Sequence, residues 1–170
     1  DQFNEIFCLG MGMSRSLAPA DGLPCSLPGE WATKWIQYDP KRASQLLDKI
    51  GLAQKDAEGY RLRTDGKGRL RIELMAIGGL QTFPQQAEVA KDHWKKIGIW
   101  ADVKEMERSA AYRRINGNDH QIGLWSAAGS DVLRLYPTNL APVLGINCWT
   151  APLYGKWYAS GGKSGKKPED

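Results

Sequence analysis

The chain closes two helical patterns with the same three residues, Lys-Ile-Gly, at 49–51 and 96–98. A glycine at that point can take the left-handed backbone conformation that ends a helix. A chain that stops its helices so sharply hands itself back to extended structure, so these endings constrain the fold to short helices joined closely to strands and turns. The first ending belongs to a segment with its start also written in, YDPKRASQLLDKIGL, residues 38–52. Asp39 is placed to cap the helix, because its carboxylate can accept from unpaired amides of the first turn. Pro40 takes the first helical position, where its missing N–H costs nothing. Ala43, Leu46, Leu47 and Ile50 fall on one stripe, expected to be buried. Leu52 is expected to fold back onto the last turn.

The second ending stands inside a longer alternation. Leu70-Arg71-Ile72-Glu73-Leu74 has the two-residue period of a strand, and Gly78-Gly79 stops it. A helix is predicted from about Phe83 to Ile97, with Phe83, Ala87, Ala90, Trp94 and Ile97 on one face. IWADVKEM then reads as a second strand. Ser109 is expected to cap a short helix, SAAYRRING, and a third strand lies around Ile122 and Leu124. Strand, helix, strand, helix, strand with short connections predicts right-handed crossovers and neighbouring parallel strands.

Around this unit the chain is less regular. Residues 1–10 form a short helix end, with Phe3, Ile6 and Phe7 on one face and Gly10 as its stop. Residues 11–37 are broken by proline and glycine into a long irregular segment with Trp31 and Trp35 as anchors. Asp65-Gly66-Lys67-Gly68 reads as a tight turn between two short extended pieces. Its acidic neighbours, Asp56 and Glu58, do not have the spacing of a calcium loop. After Trp125 the chain is irregular again until a last helical piece at about 151–159, and residues 160–170, which end in GGKSGKKPED, are expected to form a flexible exit. The expected fold class is α/β, with a small, mostly parallel or mixed sheet, flanking helices and long irregular segments.

Composition excludes more than it identifies. At 42% hydrophobic and 25% charged, the chain has an ordinary globular balance. No run approaches the roughly 20 apolar residues needed to cross a bilayer. The net charge of +4 is spread among acidic residues and partly sits in the tail. A nucleic-acid binder would concentrate it on one face, so no nucleic-acid partner is expected. Cys8, Cys25 and Cys148 have no metal-ligand spacing. One disulfide could form in an oxidising compartment, or all three could stay free thiols. The chain opens on Asp1 without an initiator Met or signal peptide, which suggests a processed precursor or a piece of a longer protein.

No chemistry is written in the motifs. The bases suited to activating a nucleophile are His93 and His120, and neither lies in a nucleophile motif or a ligand cluster. Asp102, Glu105 and Glu107 read as surface charge. There is no phosphate-binding glycine loop. The chain is expected to be no enzyme, with no cofactor and no metal site. A hydrolase with an unrecognised site and a basic nucleic-acid-binding domain are the alternatives.

Four stretches carry a resemblance: YDPKRASQLLDKIGL, DAEGYRLRTDGKGRLRIEL, AEVAKDHWKKIGIWADVKEME and HQIGLWSAAGSD, together about residues 38–131. This ordered set resembles the extracellular solute-binding proteins of ABC importers, family 5, the peptide, nickel and opine type. The resemblance implies a periplasmic-binding-protein-like fold in which two lobes close around a solute. Residues 1–170 would be a single domain, most of the second, C-terminal lobe, with the tail leading back toward the first. It implies capture of a peptide-like or opine-like solute, delivery to an ABC permease in the membrane, and a periplasmic or extracellular location. In this family a Trp and a downstream Asp near the third strand commonly face the cleft. Trp125 matches the Trp position and Asp131 is the nearest acidic residue, although SAAGSDVLRLYP departs from the usual acidic, proline-containing run. Arg134 could face an anionic group of the solute through a bidentate contact. These three are the expected ligand-binding residues.

Overall fold

A computed structural model describes residues 2–12, 14, 29–79, 82–125, 137–139 and 141–169. Three parallel strands form the centre: β1 (Arg71–Ile77), β2 (Trp100–Met106) and β3 (Ile122–Leu124), in the order β2-β1-β3. β1 pairs with β2 from Arg71↔Trp100 to Ile77↔Met106, and with β3 from Leu74↔Ile122 to Ala76↔Leu124. Among the described residues the helices are α1 (Gln2–Cys8), α2 (Gly29–Thr33), α3 (Pro40–Lys49), α4 (Phe83–Lys95), α5 (Arg108–Gly117) and α6 (Pro152–Ala159), with a 3-10 turn at Pro137–Asn139. The predicted α/β alternation and the parallel pairing are therefore present, with β1 running three residues past Leu74.

The core lies on β1. Leu74, Met75, Ala76 and Ile77 are consecutive, yet none is more than 1% exposed. Neighbouring strand residues point to opposite faces, so both faces of β1 are covered. α4 packs against β1 and β2, and α5 packs against β1 and α6. Phe83 and Ala87 of α4 and Ala111 and Ile115 of α5 complete this buried set. Each large apolar side chain here contributes on the order of 1.5–3 kcal/mol by leaving water.

Both Lys-Ile-Gly endings are built alike. In the first, the Gly51 amide donates to the Asp48 carbonyl at 3.1 Å and the Leu52 amide to the Leu47 carbonyl at 3.0 Å. In the second, Gly98 donates to Lys95 at 3.0 Å and Ile99 to Trp94 at 3.0 Å. The glycines have φ of +92° and +85°. This pair of bonds satisfies carbonyls that a helix end leaves unpaired. At the start of α3 the Asp39 carboxylate accepts from the Arg42 amide at 2.8 Å, as its position predicts.

One buried cation ties the two endings together. Arg61 is 0% exposed. Its Nε donates to the Ile97 carbonyl at 2.7 Å, and its other nitrogens reach the Leu52 carbonyl, Asp48 Oδ1 at 2.6 Å and Ser44 Oγ at 2.6 Å. Its amide donates to the Gly98 carbonyl at 2.7 Å. The three backbone carbonyls, of Leu52, Ile97 and Gly98, lie just past the C-terminal caps of α3 and α4, so the cation sits beside the electron-rich ends of both helices. Isolated bridges Lys55↔Arg61 and Leu62↔Arg69 form the short extended pieces, with the turn at Asp65 between them.

Three local expectations are corrected. The cap of α5 is Glu107, whose carboxylate accepts from the Ser109 and Ala110 amides, and Ser109 lies inside the helix. The glutamate side chain is longer than that of serine and reaches the first-turn amides from two positions further out. The stripe on α3 is not buried: Leu46 is 44% and Ile50 68% exposed. α3 is held through Ser44 and Asp48 by Arg61, so a polar contact seats it. Asp102 is more than surface charge, since it pairs with Arg71 at 3.1 Å and accepts from the Trp100 indole at 2.9 Å. Cys8 and Cys148 are free thiols, exposed and buried respectively, and Cys25 lies outside the described residues. Residues 160–166 are tied back to α6 through Ser160 Oγ, which accepts from Lys163 and Ser164, and by the Lys166 amide on the Leu153 carbonyl.

Candidate functional site

The two ends of the sheet differ in chemistry. Beside the N-terminal halves of β1 and β2, Arg71, Glu73, Asp102, Lys104 and Arg114 line a polar groove. Its charges are largely spent on one another: Arg71 on Asp102 at 3.1 Å, and Arg114 on Glu73 at 2.6 Å and Asp119 at 3.1 Å. The C-terminal ends carry aromatic rings instead. From β1 the chain leaves through α4 toward β2, whereas β3 lies on the other side of β1. Open parallel sheets place ligands at such a reversal, outside the carboxyl ends of the strands.

Trp125 follows β3 directly and stands over this point. Its ring lies 6.0 Å from Phe83 at the start of α4, 6.0 Å from Tyr112 on α5, and 5.3 Å from Trp149, on which it stacks. Tyr112 and Trp149 meet edge-on at 6.2 Å. Trp125 therefore joins α4, α5 and the loop before α6 across the end of the sheet. Trp125, Tyr112 and Trp149 are only partly buried, so the cluster presents ring surface to solvent as well as packing onto the core.

Backbone and polar contacts set these rings. Gly123 on β3 has no side chain because the Trp149 ring fills the place where a Cβ would stand. The Trp149 amide donates to the Thr138 carbonyl at 3.3 Å, and His120 Nε2 lies 3.2 Å from the Trp149 carbonyl. The other His120 ring nitrogen, Nδ1, is buried with no partner among the described residues. Cys148 is held beside them, its sulfur 3.4 Å from the Ala141 and Thr150 carbonyls.

Arg108 opens α5 at the rim of the cluster. Its guanidinium lies 5.5 Å above the Tyr112 ring and 5.6 Å from that of Trp125. Next to it, the Ser109 hydroxyl and the amides of Ser109 and Ala110 hold the Glu107 carboxyl below its usual range. The helix start is thus already supplied with an anion.

Of the expected site residues, Trp125 falls in this cluster. Asp131 and Arg134 lie outside the described residues. Arg108, Tyr112 and Trp149 were not anticipated. Arg108 and Tyr112 are four residues apart on a predicted helix, which makes them neighbours, so that pair was available to a sequence reading. Nothing local brings Trp149 to Trp125. Among the described residues no grouping of His, Cys, Asp and Glu could hold a metal ion. The groups suited to catalysis are also apart in role: His93 Nε2 lies 3.3 Å from Gln2 Oε1 and its ring meets Tyr38 at a tilt, 5.1 Å between centroids, whereas His120 contacts Trp149.

The arrangement offers stacking and cation–π surface at the carboxyl ends of the strands, which suits binding. The described residues contain no helix long and apolar enough to cross a membrane. No curated protein matches the chain. Among solved structures, the oligopeptide-binding protein OppA is similar over 99% of this chain at 28% identity, with a TM-score of 0.74. NikA from Brucella suis, solved with Fe(III)-EDTA, is similar over 96% at 22% identity and a TM-score of 0.63. AppA from Bacillus subtilis, solved with a nonapeptide, is similar over 75% at 23% identity and a TM-score of 0.57. The last two carry the fold alone. The chain spans 27% of the OppA chain and 30% of the NikA chain. The family model for bacterial extracellular solute-binding proteins, family 5 (middle), matches residues 13–139. A family defined by solute binding favours that role over the nucleic-acid-binding and hydrolase alternatives. With most of its length matched to that model, the chain belongs to the family 5 bacterial extracellular solute-binding proteins.

Proposed function

We propose that this chain is most of the second, C-terminal lobe of a two-lobed solute-binding protein that captures a peptide-like or opine-like solute outside the cell and delivers it to an ABC permease. The observation that carries the reading is the aromatic wall of Trp125, Trp149 and Tyr112 at the carboxyl ends of β1 and β3, in a chain whose fold covers 27% of a known oligopeptide-binding protein. The wall supplies one side of a cleft, and the first lobe supplies the other. Closure would then be driven by solute contacts made with both lobes at once. Asp131 and Arg134, which follow Trp125 along the chain, are the proposed polar complement, for an amino group and a carboxylate of the solute. The role needs no chemistry from the protein.

Calorimetry of this chain, and of the reading frame that contains it, against short peptides and opines tests the proposal. The chain alone should bind weakly, because half of the contacts are missing, and the full frame should bind at least about 100-fold more tightly, a coupling of roughly 3 kcal/mol. Nanomolar binding by the isolated chain would mean that it is a complete receptor and no half of one.

A further inference from the structure

Arg108 has a placement that the fold does not account for. It is exposed, at the first position of α5, and makes no ion pair or hydrogen bond with any described residue. A cation at the amino end of a helix faces the positive end of the macrodipole and is unfavourable there. The amides of that end are already met by Glu107. What holds Arg108 is the pair of rings beneath it, Tyr112 and Trp125. Ring faces attract the guanidinium charge but supply no oxygen acceptors, so its N–H donors are left for a planar, two-oxygen partner. Arg42 also sits over a ring, at 5.4 Å from Trp35, but that ring is 73% exposed and stands apart from the strand ends.

We infer that Arg108 is a binding residue for a carboxylate of the captured solute, carried on the Tyr112–Trp125 surface at the end of the sheet. This rests on the reading that this end of the sheet faces the solute. The carboxylate could be a peptide's free C-terminus or an acidic side chain, and both would meet the same fork of donors.

The test uses this chain labelled with 15N and three probes: trialanine, trialanine amide, and Ala-Glu-Ala amide. Binding is followed at the Trp125 indole N–H signal, assigned with Trp125→Phe. Trialanine should bind about 3- to 10-fold more tightly than its amide, the size expected of a solvent-exposed charge pair. Recovery of that preference by Ala-Glu-Ala amide assigns a side-chain carboxylate as sufficient, and no recovery assigns the C-terminus. Arg108→Gln should shrink the difference between acid and amide to whatever share Arg134 supplies, while Arg108→Lys should keep more of it, because an ammonium retains the charge but lacks the fork. Equal binding of acid and amide by the wild-type chain, or an unchanged preference in Arg108→Gln, overturns the role of Arg108 and leaves the wall standing. No movement of the Trp125 signal with any of the three probes at millimolar concentrations overturns both.

Discussion

Arg61 and Arg108 are both guanidinium groups set beside helix ends, and the fold treats them in opposite ways. Arg61 is 0% exposed and surrounded by oxygen: the Leu52 and Ile97 carbonyls, Asp48 and Ser44. Arg108 is exposed, lies at the electropositive end of its helix, and among the described residues meets two rings, Tyr112 and Trp125, and no oxygen acceptor. A buried cation persists only where every donor is used. An exposed cation at an unfavourable end, with its donors unspent, can be removed from the fold at little cost. The first therefore marks the scaffold and the second marks a surface kept for something else.

Substitution of Arg61 should separate the two most clearly. Arg61→Met leaves the part-buried Leu52 and Ile97 carbonyls and one face of Asp48 without their donors, and should destabilise the chain by about 3 kcal/mol or more. Urea unfolding measures this, and a loss below about 1 kcal/mol would mean that the knot between the two helix endings carries no weight.

The aromatic end offers a second break. Gly123→Ala drives a methyl into the Trp149 ring. The expected cost is about 1–3 kcal/mol, together with a changed near-ultraviolet dichroism as Trp149 leaves Trp125. An unaltered aromatic signal would show that the stacked pair does not depend on the bare backbone of β3.

The two Lys-Ile-Gly endings can be compared directly. Both glycines have left-handed φ, which costs a side chain roughly 1–2 kcal/mol. At Gly51 a Cβ would meet only Thr64 at 3.4 Å, whereas at Gly98 it would meet the Gly59 carbonyl at 2.9 Å and Arg61 Cγ at 3.0 Å. Gly98→Ala should therefore be the more damaging of the pair in thermal unfolding. Equal losses would show that conformation alone decides, with no part for the close approach to Arg61.

The smallest effects belong to exposed groups. Arg108→Gln should change stability by less than about 0.5 kcal/mol while reducing the acid preference described above. Asp65 is held down to about 2 by the Arg63 guanidinium and the Lys67 amide, against 3.8 for a free carboxyl. Because its folded pKa is the lower one, its contribution is present above 3.8 and fades as pH falls toward about 2. Comparing Asp65→Asn with wild type in acid urea titrations should show the two midpoints converging in that window. A gap that persists at the acid end would assign the effect to the turn geometry and not to the charge.

Much of this was legible along the chain because it rests on short-range rules. The Asp39 cap, both helix endings, the turn at Asp65 and the strand–helix alternation all depend on residues within a few positions of one another. The burial of α3 was misread for the converse reason. Its apolar stripe satisfies the helical period, but whether a stripe is covered depends on what lies opposite, and the helix is seated by Arg61 from outside the segment. Arg61 itself sits among alternating charged residues, RLRTDGKGRLR, with nothing local to distinguish it from Arg63 or Arg69.

The amino-acid order by itself determined the local conformations and their sequence in the chain, because caps, left-handed glycines and hydrophobic periods act over one or two turns. It also made the family recognisable, since those same signals recur in a fixed succession. Tertiary structure alone decided that β1 would be central, that Arg61 would join two helix ends through Asp48 and Ile97, 13 and 36 residues away from it, and that Trp149 would stack on Trp125. Those outcomes turn on packing between segments distant in the chain, where a side chain's role is set by its neighbours in space and no local pattern names them.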